Sequence, residues 1–215
     1  MPTSPDDTPP GSPPLSVPSP DVGQGPLPPV LAKIIISGGF GAGKTTAIGT
    51  LSEIEPIVTE AAMTVSAAEL DVAAEGSRKS ATTVAMDFGR LTLDDSLVLY
   101  LFGTPGQDRF GYMWPDLAGG ALGGIVMVDS RRVADCFVAI DYFEQIGLPF
   151  VVAVNRFAGR ETLPLDDVRD ATNVDPDVPV IGVDARDHES MKAATLCLLD
   201  LVLARAQGGD EDVPG

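Results

Sequence analysis

The sequence predicts an α/β protein with three layers, in which helices cover both faces of a doubly wound, mostly parallel sheet. Two observations carry this prediction. Short apolar, β-branched segments alternate with segments of helical length in the order βαββαβαβα. Two of the predicted strands are joined only by the turn at Asp94-Asp95, so they form a hairpin. We therefore expect one antiparallel strand, at the edge of the sheet.

The strands are recognised by short apolar runs and, in one case, by alternation. Residues 84–93 alternate at Val84, Met86 and Phe88, and we expect a bulge or bend at Gly89-Arg90. Residues 97–102 are continuously apolar, which is typical of a central strand that is buried on both faces. The full set of predicted strands is 32–36, 84–93, 97–102, 125–128, 150–154 and 180–183.

The helices are predicted between these strands. The first ends before Pro56, and the last carries an apolar stripe at Met191, Ala194, Leu198 and Val202. The predicted helices are 44–53, 131–146, 166–171 and 189–206.

Composition divides the chain into one folded domain and two tails. Residues 1–29 hold 11 of the 19 prolines, and such a segment buries too little apolar surface to offset the entropy of ordering it. Residues 208–215 form a short acidic segment. We therefore predict a disordered tail over 1–29, a folded domain over 30–207 and a second disordered tail over 208–215.

Charge excludes several classes of partner. The formal net charge is −17 in 215 residues, which disfavours nucleic acid and anionic lipid as non-specific partners. No apolar run approaches the roughly 18 residues of a membrane span, and no signal peptide is evident at the start, so we expect a cytoplasmic protein without direct membrane insertion. A small phosphorylated ligand stays possible, because a pocket can be locally positive on an acidic body.

Residues 38–45 read GGFGAGKT and fit the phosphate-binding pattern G-x-x-x-x-G-K-[ST] between a strand and a helix. Glycines let backbone N–H groups converge on phosphate oxygens, and the helix N-terminus adds a positive dipole end. Lys44 would bridge the β- and γ-phosphates, and the Thr45 hydroxyl would ligate Mg²⁺. The loop alone does not distinguish a GTPase from an ATPase or a kinase.

Four further motifs follow in a fixed order. Ala81-Thr82-Thr83 precedes the hairpin strand, GTPGQ at 103–107 follows the central strand, and VNRFA at 154–158 and DAR at 184–186 end the last two strands. Together with the phosphate loop, these motifs resemble those of the Ras-like P-loop small GTPases over residues 32–207. Residues 82–89, 101–107 and 152–155 are most similar to the bacterial conservon (CvnD-type) branch, which is related to the MglA-type polarity switch.

The resemblance implies a set of site residues. Gln107 would orient the attacking water and Lys44 would act on the phosphates, while Thr45 and Thr83, or Thr82 in its place, would ligate Mg²⁺. The implied nucleotide-binding residues are Gly38, Phe40, Gly41, Ala42, Gly43, Lys44, Thr45, Thr46, Gly106, Asn155, Arg156, Ala185 and Arg186.

The resemblance also implies ligands and partners. It implies GTP and GDP as ligands and Mg²⁺ as cofactor. It further implies a roadblock-fold (MglB-like) regulator and a sensor-kinase-like protein of the same operon as partners, through which the protein would be recruited to the membrane.

Three positions depart from the family pattern. Gly103 replaces the acidic residue that orders Mg²⁺ through water, and Asp87 on the neighbouring strand either substitutes for it or is an ordinary strand residue. Pro105 precedes Gly106 in the second switch, and we predict slow intrinsic turnover from it. Ala158 replaces the carboxylate that accepts two hydrogen bonds from guanine, so selectivity for GTP is weakened.

Three functions therefore stay open. The leading hypothesis is a GTP/GDP molecular switch with slow, partner-stimulated hydrolysis. The alternatives are a non-hydrolysing nucleotide-binding interaction module and an ATP-binding P-loop protein.

Two further features have both a structural and a functional interpretation. An internal arginine finger is conceivable at Arg78, Arg90 or Arg109, although each is more often a surface charge. The cluster of Phe110, Tyr112, Met113 and Trp114 is either local packing or an apolar patch that faces a partner.

Overall fold

The computed structural model describes residues 28–63, 82–106 and 113–208, which contain seven strands and five α-helices. The strands are β1 (Val30–Gly38), β2 (Ile57–Met63), β3 (Thr82–Asp94), β4 (Leu97–Gly103), β5 (Gly123–Val128), β6 (Phe150–Asn155) and β7 (Val180–Val183). The helices are α1 (Lys44–Leu51), α2 (Trp114–Ala118), α3 (Phe137–Gln145), α4 (Leu165–Thr172) and α5 (His188–Gly208), and a short 3₁₀ helix at Val133–Cys136 precedes α3.

All seven strands belong to one sheet with the order β2-β3-β4-β1-β5-β6-β7. Strand β1 pairs in parallel with β4 and β5, and β5, β6 and β7 continue in parallel. Strand β3 pairs antiparallel with both β2 and β4, so it is the single strand of opposite direction among those described. The predicted fold class, a mostly parallel doubly wound sheet with one antiparallel strand, is confirmed.

The antiparallel strand does not lie at the edge, because β2 pairs outside it over Ile57–Met63. The sequence did not predict β2, since its second half, Glu60-Ala61-Ala62-Met63, consists of residues that favour helices. Its pairing with β3 overrides that preference. The order of the remaining six strands agrees with the predicted βαβ connections.

The expected bulge at Gly89-Arg90 is absent, since both residues pair regularly with β4. The register shifts instead between Thr92 and Asp94, at the hairpin turn. Gly89 has a packing role, because a Cβ at this position would lie 2.9 Å from Cγ2 of Ile48 on α1. The glycine therefore lets α1 approach β3 closely.

Two apolar clusters on opposite faces of the sheet make the three layers. The first packs α1 and α5 against one face and includes Ile48 and Met191. The second packs α3, α4 and Trp114 against the other face and includes Phe143. Strand β1 lies between them, with Ile34 and Ile36 in the first cluster and Ile35 in the second. The carboxyl ends of the central strands are thus fixed by a core on both sides.

The helix predicted over 131–146 is shorter, because the chain turns after β5 before α3 begins. Asp129 is buried, and its carboxylate accepts hydrogen bonds from the backbone N–H and side chain of Arg131. These bonds hold the turn and lower the pKa of Asp129, chiefly through the side-chain bond to Arg131. None of the described helices combines the length and apolarity that crossing a membrane requires.

Candidate nucleotide-binding site

The Gly-rich loop connects β1 to α1 and is shaped by backbone that only glycine adopts easily. Gly38 has φ 128°, and a Cβ there would lie 2.1 Å from the carbonyl oxygen of Met127 on β5. Gly43 has φ 107° and directly precedes α1, and a Cβ there would lie 2.5 Å from Nδ2 of Asn155. The loop therefore lies tightly against the ends of β5 and β6, with its N–H groups at the start of a helix.

Lys44 is buried beneath this loop, and its ammonium is bonded to the loop's own backbone. Its Nζ donates to the carbonyl oxygens of Gly38 and Gly39, both at 2.8 Å. Burial lowers the pKa of Lys44 to about 8, and the negative charge of Asp87 opposes this change. A cation held so close to the loop is suited to neutralise a polyphosphate that the loop binds.

Thr45 and Asp87 lie together at the start of α1. The Thr45 hydroxyl donates to Oδ2 of Asp87 at 2.6 Å. A Cβ at Gly103 would lie 3.2 Å from Cβ and 3.3 Å from Oδ2 of the same Asp87. The carboxylate of Asp87 therefore reaches the region that an acidic side chain at position 103 would fill, but from the neighbouring strand.

These two residues fit a Mg²⁺ ion that takes its other ligands from phosphate and water, as Mg²⁺ commonly does. Within residues 28–63, 82–106 and 113–208, no group of three or more His, Cys, Asp or Glu residues could hold a metal by itself. Thr83 pairs with Ala62 inside β3, not before the strand as predicted, and stands four residues from Asp87. That is about 13 Å along a regular strand, so in this conformation the two residues do not meet at one ion.

The segment after β4 closes the phosphate end of the site. The Thr104 N–H donates to the carbonyl oxygen of Ile36, and its hydroxyl bonds to that of Ser37 at 2.9 Å. Gly106 then lies against the loop, since a Cβ there would be 2.7 Å from Nζ of Lys44 and 3.0 Å from Cα of Phe40. The structure thus places Gly106 beside Lys44, while Gln107 lies outside the described residues.

Asn155 connects the phosphate loop to the loop after β7. Its side chain is buried at the end of β6, donates to the carbonyl oxygen of Ala42 and accepts the N–H of Ala185, both at 3.0 Å. Three segments that are distant in sequence are therefore held by one amide. This corner lies where the resemblance predicts the base of a nucleotide.

Replacing Asn155 with Ala should destabilise the nucleotide-free protein by about 2–4 kcal/mol, because two buried hydrogen bonds are lost and their partners are left unsatisfied. Urea denaturation measures this loss. Asn173 is a matched control, since it is exposed and has the left-handed φ of 49° that glycine also adopts. Asn173→Gly should change the free energy of unfolding by less than about 0.5 kcal/mol. A similar, small effect of both variants would contradict the connecting role of Asn155.

The arginines around this corner are exposed. The Arg156 guanidinium lies over β7, since a Cβ at Gly182 would be 2.7 Å from its Nη2. Arg186 donates through Nε and Nη2 to both carboxylate oxygens of Asp184, at 2.9 and 2.6 Å. These bonds lower the pKa of Asp184 to about 2. Ala158 is exposed at the same end of the sheet and brings no carboxylate.

Thr46 and Phe40 are both exposed, Thr46 on α1 and Phe40 at the tip of the phosphate loop with 67% of its surface accessible. Gly41 lies beside Phe40 at the same tip. Apart from Thr83, the predicted phosphate, metal and base residues that the structure describes are thus gathered around one end of the sheet.

Two residues next to the phosphate loop were not predicted from the sequence. The Arg132 side chain donates through Nη2 to the carbonyl oxygen of Phe40. Asp135 packs against the same loop, where a Cβ at Gly39 would lie 2.4 Å from its Cβ. The only sequence signal was the pair Arg131-Arg132 directly after a buried strand.

The arginine and aromatic candidates from the sequence have different outcomes. Arg90 pairs with Glu53 at 3.2 Å and is therefore occupied outside the phosphate loop, while Arg78 and Arg109 lie outside the described residues. Met113 and Trp114 are buried, and Trp114 packs edge-on against Tyr142 at 5.2 Å between ring centroids. This pair supports the packing interpretation of the cluster, whose members Phe110 and Tyr112 also lie outside the described residues.

A Gly-rich loop before a helix, a buried lysine beneath it and a Thr–Asp pair beside it, on a doubly wound sheet, define a nucleotide-binding P-loop protein with a G-domain-like fold. The family model described as "Conserved hypothetical ATP binding protein" matches residues 36–202, and the chain belongs to this family.

Solved structures support the fold independently. The G domain of the T. maritima FeoB iron transporter is similar with a TM-score of 0.56 and 14% identity, over 80% of this chain and 99% of that one. The FeoB G-domain from Methanococcus jannaschii is similar with a TM-score of 0.52 and 13% identity, over 80% of this chain and 97% of that one. At these identities the likeness shows the fold alone. A comparison with curated proteins found no match.

Proposed function

We propose that this protein is a GTP/GDP-binding molecular switch with slow hydrolysis that a partner stimulates. The observation that carries the proposal is the Asn155 amide, which bonds to Ala42 in the phosphate loop and to Ala185 in the loop after β7. One residue thereby couples the phosphate end of the site to the corner where the base would lie. The resemblance to the small GTPases implies that this asparagine lines the pocket of the guanine base.

The phosphate end supplies the chemistry of the proposal. Lys44 would exchange the carbonyls of Gly38 and Gly39 for phosphate oxygens, and the N–H of Gly106 would meet the terminal phosphate. Thr45 and Asp87 would hold Mg²⁺, which neutralises charge on the phosphates. The water would be oriented by Gln107, a role that rests on the resemblance. These groups position reactants and stabilise charge, which is most of what phosphoryl transfer requires.

The switch itself would lie at the start of β3. Thr83, about 13 Å along the strand from Asp87, could reach a Mg²⁺ at Thr45 only if this part of β3 leaves its pairing with β2. A terminal phosphate would favour the rearranged state, and hydrolysis would release it. The proposal therefore predicts that the β2–β3 pairing differs between the GDP and GTP states.

ATP is the second candidate ligand, and two observations favour it. The exposed Ala158 offers no acceptor to the N1 and N2 groups of guanine. The family to which the chain belongs is described as ATP binding. Calorimetric titration with GDP, ADP and non-hydrolysable analogues of GTP and ATP separates the candidates, and equal or greater affinity for the ATP analogue would overturn the guanine assignment.

Ala158→Asp should increase the preference for the GTP analogue over the ATP analogue by about 10- to 100-fold, because a charged acceptor contributes roughly 1.5–3 kcal/mol. Ala193→Asp is the control, since Ala193 is exposed on α5. It adds the same charge and should leave the preference unchanged. An Ala158→Asp variant with the preference of the wild type would show that the base does not lie beside position 158.

A phosphate-release assay distinguishes the molecular switch from a non-hydrolysing nucleotide-binding module. We expect slow phosphate release by the protein alone, since Pro105 directly precedes Gly106 at the loop. The roadblock-fold (MglB-like) regulator and the sensor-kinase-like protein of the same operon are the proposed partners, and the cytoplasmic protein would reach the membrane through them. Adding the purified regulator should raise the hydrolysis rate, and no phosphate release with or without it would favour the module.

A further inference from the structure

Two cations donate to the carbonyl groups of the phosphate loop, one from each side. Lys44 binds Gly38 and Gly39 from beneath, and Arg132 binds Phe40 from the outside. The Nη2 atom of Arg132 would also lie 3.5 Å from a Cβ at Gly41. Both cations thus lie where the loop would hold a polyphosphate, on a chain whose net charge is −17.

Arg132 is paired with carboxylates more loosely than Arg131 and Arg186, two other arginines near this end of the sheet. Arg131 is bonded through Nε and Nη2 to the buried Asp129, and Arg186 is bonded in the same way to Asp184. Arg132 contacts Asp135 and Asp129 only through Nε, at 3.5 and 4.0 Å, and about half of its side chain is exposed. Pairs at these distances with a half-exposed guanidinium contribute little, so the two carboxylates hold Arg132 only weakly.

We propose that Arg132 contacts the terminal phosphate of a bound nucleoside triphosphate and stabilises the charge that develops during hydrolysis. The inference rests on the proposed function only in requiring a triphosphate in this loop, whichever base it carries. A planar guanidinium with several N–H donors is well suited to phosphate oxygens. A triphosphate carries more negative charge than the single carboxylate of Asp135 and would compete for Arg132.

The step that Arg132 assists is hydrolysis of the triphosphate, which needs no reactant other than water. A water oxygen forms a bond to the γ-phosphorus as the bond from that phosphorus to the β–γ bridging oxygen breaks. The electron pair of the broken bond stays on the bridging oxygen and yields the nucleoside diphosphate. A proton of the water passes to the released phosphate. Arg132 donates hydrogen bonds to the γ-phosphate oxygens and takes no proton.

The proposed role of Arg132 also provides a mechanism by which a partner would stimulate hydrolysis. In the structure the Arg132 guanidinium is bonded to the Phe40 carbonyl and lies near Asp135, so a bound triphosphate has to compete with these two groups for it. A partner that displaces Asp135 would increase the fraction of triphosphate-bound chains in which Arg132 contacts phosphate. It would not have to supply an arginine of its own.

The test compares Arg132→Ala and Arg132→Lys with Arg160→Ala, a control whose arginine is exposed and lies over the Phe157 ring. Calorimetry with the diphosphate and with a non-hydrolysable triphosphate measures the two affinities, and single-turnover phosphate release measures hydrolysis. Arg132→Ala should lower triphosphate affinity by about 10- to 100-fold and change diphosphate affinity less than about twofold.

The same variant should release phosphate at least about 100-fold more slowly, and added guanidinium ion should restore part of the rate. Arg132→Lys should keep much of the triphosphate affinity but not the rate, because an ammonium lacks the planar fork. An equal loss of diphosphate and triphosphate affinity with an unchanged single-turnover rate would mean that Arg132 only holds the loop, and would overturn the inference alone. A wild-type protein that binds neither nucleotide would overturn the proposed function as well.

Discussion

Lys44→Met is expected to abolish triphosphate binding and, at the same time, to make the nucleotide-free protein more stable. The ammonium of Lys44 is buried against the carbonyls of Gly38 and Gly39, where a polyphosphate would be held. Loss of a buried cation that binds phosphate removes several charge-assisted hydrogen bonds, so affinity should fall by at least about 100-fold.

The expected gain in stability is the difference between the cost of burying the ammonium and the contribution of its hydrogen bonds. Burial lowers the pKa of Lys44 to about 8 from its ordinary value of 10.5, and such a difference corresponds to about 3 kcal/mol of cost for the charged form at neutral pH. Met removes this cost but also loses two hydrogen bonds of about 1 kcal/mol each. We therefore expect a net stabilisation of about 1 kcal/mol.

Two measurements check this prediction. Urea denaturation without nucleotide gives the stability, and calorimetry with a triphosphate analogue gives the affinity. Lys192→Met on α5 is the control, since Lys192 is half-buried and lies outside the phosphate loop. This control should bind nucleotide like the wild type. A Lys44→Met protein that binds the analogue with wild-type affinity would contradict the assignment of the phosphate site.

Because the pKa of Lys44 is lowered, both the stability of the protein and its triphosphate affinity should depend on pH. Between about pH 8 and 10.5 the unfolded chain holds a proton on Lys44 that the folded chain has lost, so stability from this group rises with pH in that window. Below pH 8 both states are protonated and the contribution is constant. The advantage in unfolding free energy of Lys44→Met over the wild type should therefore shrink above pH 8 and then change sign, because the relieved cost of about 3 kcal/mol exceeds the advantage of about 1 kcal/mol. Triphosphate affinity of the wild type should fall over the same range, as the ammonium is neutralised.

The second large effect concerns Asp87, which we assign as the carboxylate that holds Mg²⁺ in place of an acid at position 103. Asp87→Gly should remove most of the dependence of triphosphate affinity on Mg²⁺. Gly103→Asp alone should also bind poorly, because its Cβ would lie 3.2 Å from that of Asp87 and would bring two like charges together. The double variant Asp87→Gly, Gly103→Asp moves the carboxylate from β3 to β4.

The double variant should regain Mg²⁺-dependent binding, because the remaining close contact of a Cβ at position 103 is 2.9 Å to Cδ1 of Ile48, the flexible end of a side chain. Calorimetric titrations of the triphosphate analogue in Mg²⁺ and in EDTA measure the effect. A general effect on protein stability would not explain rescue by the double variant, because each single substitution is disruptive by itself. Mg²⁺ dependence that is unaffected by Asp87→Gly would show that another group holds the ion.

The alternation of apolar segments was sufficient to predict the layers of the fold, since most strands lie between helices that bury them. Met191, Ala194 and Leu198 form the buried face of α5 that their spacing predicted. Strand β2 was missed because Glu60-Ala61-Ala62-Met63 favours a helix by intrinsic preference, and only pairing with β3 makes it a strand. Pairing between distant segments is not encoded in either segment alone.

The residues of the candidate site were likewise predicted only in part. Lys44, Thr45 and Asn155 were predicted because their motifs lie at fixed positions on strand and helix ends. The contact of Asp87 with Thr45 depends on the register between β3 and β4, which sequence did not define. Arg132 was missed because its relevance arises from a turn after β5 that points its side chain to the carbonyl of Phe40, and no motif marks that turn.

The central claim is that the loop around Lys44 binds the polyphosphate of a nucleotide with Mg²⁺. Equilibrium titration of the full chain with fluorescent GTP and ATP analogues in Mg²⁺ tests it most directly. The account predicts saturable binding of one nucleotide per chain, displacement by the unlabelled triphosphate, and loss of binding in Lys44→Met but not in Lys192→Met. Absence of saturable binding for both analogues, by a protein that unfolds cooperatively, would contradict it.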